Sequence, residues 1–183
     1  MTYRLRPLYN LGGYLAATCL TLICLLITAQ IVGRIIDRII TGIGGDRIGL
    51  AIPGLSEISG FLLVGASFLG LAYTFVHGGH IRVTLLIGRL PPATRVWFEV
   101  FCLAIALALS VYLAWNLYWL LDDSIAFNET SYGLLRIPLW IPQSAMLAGV
   151  ALLCLALLES ALYTLTTAIR DPHDFIVDDS GPE

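Results

Sequence analysis

The sequence predicts an all-α membrane protein with four transmembrane helices and short interfacial amphipathic helices after spans one and two. Three observations predict this class. The 183-residue chain is 58% hydrophobic and only 13% charged, against roughly 25% charged residues in an ordinary soluble domain. Four runs reach the length of about 20 apolar residues that a hydrocarbon core requires: 11–33, 58–76, 96–121 and 137–166. The segments between them are too short to fold as separate soluble domains, so residues 1–170 read as one transmembrane domain followed by a tail, 171–183.

Span one follows Arg4 and Arg6. A cleaved signal peptide is the competing reading, but the apolar run exceeds the roughly 7 to 15 residues of a signal core, so a retained helix is expected. The span ends in GRIIDRIITG. There Ile35, Ile36, Ile39, Ile40 and Ile43 fall on one side of a helix, and Arg34, Asp37, Arg38 and Thr41 on the other. That separation predicts a helix that bends and lies along the membrane surface.

Before span two, Pro53 and Gly54 mark a turn, Ser56 is the expected N-cap, and Glu57 sits in the first turn, where the helix dipole favours a negative charge. The span ISGFLLVGASFLGLAYTFV places Ala66 and Gly70 on one face. Small residues four apart let helices approach closely in lipid, where packing replaces the hydrophobic effect as the driving force. Ser144 with Ala148, and Ala145 with Gly149, repeat the pattern in span four. Such faces serve contacts within the chain or docking of another protein; the pattern leaves both open.

Spans two and three are joined by HGGHIRVTLLIGRLPP, residues 77–92. A lone strand at membrane depth would leave backbone groups unpaired, so a short helix over 81–90 is expected. It carries Arg82 and Arg89 on one stripe toward phosphates or partner carboxylates. Gly78 and Gly79 allow the tight exit from span two, and Pro91 and Pro92 stop the element.

Span three carries Tyr112, Trp115, Tyr118 and Trp119 near its far end, and Trp140 stands at the start of span four. Amphipathic aromatics gathered at one depth mark the headgroup boundary. They put the 122–136 loop just outside the membrane. The tail DPHDFIVDDSGPE is acidic, lacks apolar periodicity and is expected to be disordered.

All ten basic residues are arginine. Arg4, Arg6, Arg82, Arg89, Arg95 and Arg170 fall on one side of the four spans, and Arg34, Arg38, Arg47 and Arg136 on the other. The positive-inside rule makes the first group cytoplasmic, with both termini inside.

Little in the chain resembles catalytic machinery. Glu99 and Glu159 are the ionisable residues within spans, and both lie toward the cytoplasmic ends, where structural ion pairing with Arg95, Arg82 or Arg89 is expected over ion coupling. His77 and His80 are three apart, but no cysteine or carboxylate stands near enough to complete a metal site. Cys19, Cys24, Cys102 and Cys154 all lie inside spans and read as small packing residues. The histidines lie outside the spans, which argues against axial haem ligation. No cysteine pair is suited to disulfide exchange, so no enzyme activity and no cofactor or metal is expected. A complete transporter would carry repeated, broken helices around a midplane polar site, and these spans show neither. What remains is an accessory membrane subunit.

Three stretches in order, GLSEISGFLL, GGHIRVTLLIGRLP and IPLWIPQSAMLAG, resemble the small integral-membrane subunit of TRAP transporters, the DctQ-type family. The most specific residues are Glu57; Gly78, His80, Ile81 and Val83; and Ile137, Pro138, Leu139 and Trp140. Thr84 stands where members often have aspartate, and the loop from Arg34 to Ser56 is longer than the pattern. The resemblance implies a multi-pass protein of the bacterial inner membrane within a three-part uptake system. A periplasmic substrate-binding protein would deliver an organic acid, and a large membrane subunit would carry it inward on a sodium gradient. This chain would support the large subunit without binding substrate, sodium or nucleic acid. Glu57, His80, Arg82, Arg89, Pro138 and Trp140 are then the candidate contacts with partner or membrane lipids, Ala66, Gly70, Ala145 and Gly149 the packing face. The alternative is an independent structural or chaperone-like four-helix membrane bundle.

Overall fold

The computed structural model describes residues 5–43, 49, 53–78 and 92–170. Among these residues four helices follow one another: α1 (Arg6–Gly42), α2 (Leu55–Val76), α3 (Pro92–Ala126) and α4 (Trp140–Arg170). Each contains a stretch long and apolar enough to cross a membrane. Hydropathy therefore located all four helices and the end of α2 at Val76, but the other helix limits lie elsewhere.

The largest difference is in α1. Its 37 residues continue without interruption through GRIIDRIITG, a length of about 55 Å at 1.5 Å per residue. The amphipathic stretch after span one is thus the last part of α1, not a separate interfacial helix. Apolar residues keep the helical period across the boundary, and the stop comes only at Gly42, beside the glycine-rich segment. The expected interfacial helix over 81–90 lies outside the described residues, as does the tail.

At the start of α2, Gly54 is the N-cap, in the left-handed region at φ 70°, and no side chain caps the helix. Ser56 is inside the first turn, so the expected cap is displaced by two residues. The reason is tertiary. A Cβ on Gly54 would meet the Leu135 side chain at 2.6 Å, so only a glycine lets the loop from α3 pack on this turn. At the far end, Gly78 has φ 72° and its N–H donates to the Phe75 carbonyl, which closes the tight exit from α2.

α2 packs against both α1 and α4, α4 carries α3, and α1 touches α4 more lightly. α1 and α2 run antiparallel: Gly12 lies against Leu69, and farther along α1 Cys19 lies against Gly65. α2 and α4 run parallel, with Gly65 beside Ala145 and Gly149 against Phe68. Their contacts are backbone-close. A Cβ on Gly149 would run into the Phe68 carbonyl and come within 2.8 Å of the Leu69 nitrogen, and one on Gly12 would meet the Leu69 carbonyl oxygen at 2.8 Å. Tyr9, Ala72 and Ala156 form a buried cluster with Phe75, Val76 and Leu152 around it. Much of the remaining apolar surface of α1 and α3 faces outward, including Leu25, Ile31, Ile35 and Ile39 on α1 and Phe101, Leu109 and Trp115 on α3.

Candidate functional site

Polar structure concentrates where the α3–α4 loop meets the start of α2. α3 closes with a Schellman arrangement: Asn128 takes φ 50°, its N–H donates to the Ile125 carbonyl at 3.3 Å, and the Glu129 N–H donates to the Ser124 carbonyl at 3.0 Å. Asparagine tolerates the left-handed conformation that this closure needs. The fully buried Ser124 hydroxyl also donates to the Glu129 carboxylate at 2.9 Å. The loop then folds back on itself. The Ser131 N–H donates to the Ile137 carbonyl and the Leu139 N–H to the Glu129 carbonyl, with Thr130 and Pro138 facing each other in an antiparallel bridge.

Across this narrow base, the turn at 131–135 docks on α2. The Glu57 carboxylate accepts the Leu134 N–H at 2.6 Å and the Ser131 hydroxyl at 3.4 Å. Ser131 Oγ in turn accepts the Gly133 N–H at 3.4 Å. Gly133 is where it must be, since any Cβ there would overlap the Glu57 carboxyl group. One carboxylate thus ties α2 to the connection between α3 and α4. Outside the tie, Phe127, Tyr132 and Leu134 present their side chains at 76%, 104% and 78% exposure. Pro138 is half-buried in the paired base, and Trp140 is exposed at the first residue of α4.

At the other end of the bundle, the buried Tyr9 hydroxyl donates to the Glu159 carboxylate at 3.0 Å. The partner shown for Glu159 is therefore a tyrosine of α1. The arginines expected to pair with it, Arg82 and Arg89, lie outside the described residues, and so does the side chain of Arg95. Glu99 is partly buried on α3. His77 is held by its own helix: Nδ1 lies 2.9 Å from the Tyr73 carbonyl and the ring stacks on Tyr73 at 4.1 Å. His80 lies outside the described residues, and among those described no group of three metal-ligating side chains gathers.

Of the small residues singled out in the sequence, four make contacts inside the bundle, while Ala148 is exposed. Ala66 is buried, Gly70 faces Ala16, Ala145 lies near Gly65, and Gly149 meets the α2 backbone. Sequence reasoning missed their partners on α1, Gly12, Gly13 and Ala16. The signal was present in GGYLAA, where Gly12 and Ala16 stand four apart. The four cysteines are free thiols. On α3, Trp115 and Trp119, and Tyr118 and Trp119, meet edge to face at centroid distances of 6.0 Å, all three rings exposed.

The architecture is that of a membrane-spanning scaffold whose polar chemistry is spent on its own loop. A family model described as the DctQ component of tripartite ATP-independent periplasmic transporters matches residues 23–167. The chain belongs to the DctQ family. No curated protein and no solved structure matches it. The matched region of this DctQ chain includes the latter part of α1, all of α2 and α3, and most of α4. Glu57 and the whole α3–α4 loop fall within it. The chain is accordingly a transporter component, the small membrane subunit of a TRAP system.

Proposed function

We infer that this DctQ chain braces the large membrane subunit of a TRAP transporter during sodium-driven uptake of an organic acid, delivered by a periplasmic binding protein. The observation that carries this is the family match over residues 23–167. The bundle supports it. Its small residues are used in contacts among α1, α2 and α4, while α1 and α3 keep long apolar faces outward for lipid and for a partner. The protein would sit in the bacterial inner membrane with both termini cytoplasmic, as the arginine distribution favours. The α3–α4 loop would then be periplasmic. Arg82, Arg89 and His80 would contact the partner or headgroups on the cytoplasmic side, and Trp140 the opposite boundary.

The test is reconstitution. The large subunit and binding protein are placed in proteoliposomes with and without this chain, and uptake of labelled organic acids is followed under an inward sodium gradient. Uptake that needs this chain, together with co-elution of the two membrane subunits at a fixed ratio, is the expected result. Self-association of the chain alone beside a folded large subunit, with uptake unaffected by its omission, defeats the proposal.

A further inference from the structure

α3 is carried by α4 through one narrow face. Its buried residues, Val96, Leu103, Leu117 and Ser124, stand at multiples of seven in the chain, the spacing that keeps one stripe of a helix on its neighbour. The opposite face points away from α4, and along it the chemistry changes in order toward the α3–α4 loop. Phe101, Ile105 and Leu109 come first, exposed and purely apolar. Tyr112, Trp115, Tyr118 and Trp119 follow, all exposed, each joining an apolar ring to an O–H or N–H donor. Trp119 meets both Trp115 and Tyr118 edge to face at 6.0 Å, so the three rings form one platform. Asp122 and Asp123 come last, also exposed, about 5 Å beyond Trp119 along the axis at 1.5 Å per residue. At 3.6 residues per turn, Tyr112, Trp115, Trp119 and the two aspartates fall within an arc of about 100°.

The helix itself does not favour these carboxylates. They stand at the C-terminal end of α3, where the carbonyls already concentrate negative charge and a further anion is unfavourable. Arg95, the one arginine of α3, is at the other end. A cation beside the aromatic platform would offset both effects.

A phospholipid with an ammonium beyond its phosphate complements this order of groups. Its acyl chains lie along the aliphatic stretch, and indole N–H and phenol O–H groups donate to the phosphate. The rings attract the cation, and the carboxylates accept its N–H bonds. An ethanolamine head group supplies such N–H donors. A choline head group has none, and a glycerol head group brings only the negative phosphate, which the aspartates repel. The grading from aliphatic to aromatic to acid follows the depth profile of one leaflet; a protein partner would require no such order.

We propose that the outward face of α3 at Trp115, Trp119, Asp122 and Asp123 is a binding site for an ethanolamine phospholipid. The site requires only that the chain spans a bilayer, whatever complex it serves.

The experiment uses the full chain carrying Trp97→Phe and Trp140→Phe, so that Trp115 and Trp119 are its emitters. It is reconstituted, alone and with the large membrane subunit, in vesicles of phosphatidylglycerol, phosphatidylethanolamine and phosphatidylcholine in equal parts. One lipid at a time carries brominated acyl chains, which quench tryptophan on contact. Brominated phosphatidylethanolamine is expected to reach half-maximal quenching at a mole fraction about threefold lower than either of the others, the scale of an exposed cation–π contact. Asp122→Asn with Asp123→Asn is expected to abolish that preference at unchanged helix content. Equal quenching by the three lipids before any change at the aspartates means an annulus without a site and overturns the proposal. So does a preference that survives the double asparagine variant. Protection from all three lipids once the large subunit is present makes the face a protein interface and overturns it as well.

Discussion

Glu57 and Leu134, 77 residues apart in the chain, are joined by a 2.6 Å hydrogen bond from the Leu134 amide to the Glu57 carboxylate. The bond makes the first turn of α2 and the α3–α4 loop one mechanical unit. Its acceptor is a half-buried side-chain oxygen, and removing the partner of such a hydrogen bond costs about 1–3 kcal/mol. Glu57→Ala should therefore lower stability by about 1–2 kcal/mol, with Glu57→Gln losing less. Hydrogen exchange at the Leu134 amide is the direct readout: it should accelerate strongly in the alanine variant and little in the glutamine variant. Gly133→Ala should mimic the loss with Glu57 intact, since its methyl group would take the place of the carboxylate.

The start of α2 shows what hydropathy could and could not reveal. Four apolar runs fixed the four helices, because about 20 apolar residues in a row have few alternatives to spanning a bilayer. The limits of α1 were another matter. Hydropathy marks where lipid tolerates the side chains, and the helix itself persists nine residues beyond Gly33 because the period is unbroken. Glu57 was legible as a first-turn acid, but its partner was not. The donors are a backbone N–H and a serine hydroxyl from a distant loop, which leave no periodic trace. Likewise the small residues of α2 and α4 stood out, while the contacts of Gly70 with Ala16 and of Gly149 with the Phe68 carbonyl leave no mark in their spacing.

Those close approaches predict an ordered response to added methyl groups. At Gly149 a Cβ would strike the α2 backbone, which has no flexible end to yield. Gly149→Ala should cost about 1–3 kcal/mol, the usual range for overpacking. Gly60 is the internal control, since a Cβ there meets nothing within 4 Å. Gly60→Ala should be neutral or stabilising by up to about 1 kcal/mol through helix propensity. Unfolding of the detergent-solubilised chain by titration with a denaturing detergent would rank the two. Equal behaviour of the two variants would mean that α2 and α4 are not in backbone contact.

Asn128 predicts a backbone effect without a packing effect. Its φ of 50° lies in the region that β-branched residues avoid. Asn128→Gly should leave stability within a few tenths of a kcal/mol, and Asn128→Val should cost about 1–2 kcal/mol. Exchange at the Glu129 amide, which closes the turn on the Ser124 carbonyl, should rise in the valine variant alone.

The Tyr9–Glu159 bond separates a structural carboxylate from a transport carboxylate. Tyr9 is fully buried with Ala72 and Ala156, and its hydroxyl lies 3.0 Å from Glu159. Tyr9→Phe keeps the ring and removes only the donor, so the expected cost is about 1–3 kcal/mol. Tyr9→Ala also empties the cluster and should cost about 3–5 kcal/mol. Because both partners serve the same bond, Tyr9→Phe and Glu159→Gln should be less than additive in a double-mutant cycle. Uptake per assembled complex should stay near the unmodified rate in all variants that assemble, since the Glu159 carboxylate is engaged by the Tyr9 hydroxyl of α1. A Glu159→Gln complex that forms in full yield yet no longer couples uptake to sodium would assign the carboxylate to the ion pathway, and Tyr9 would then be its positioning partner.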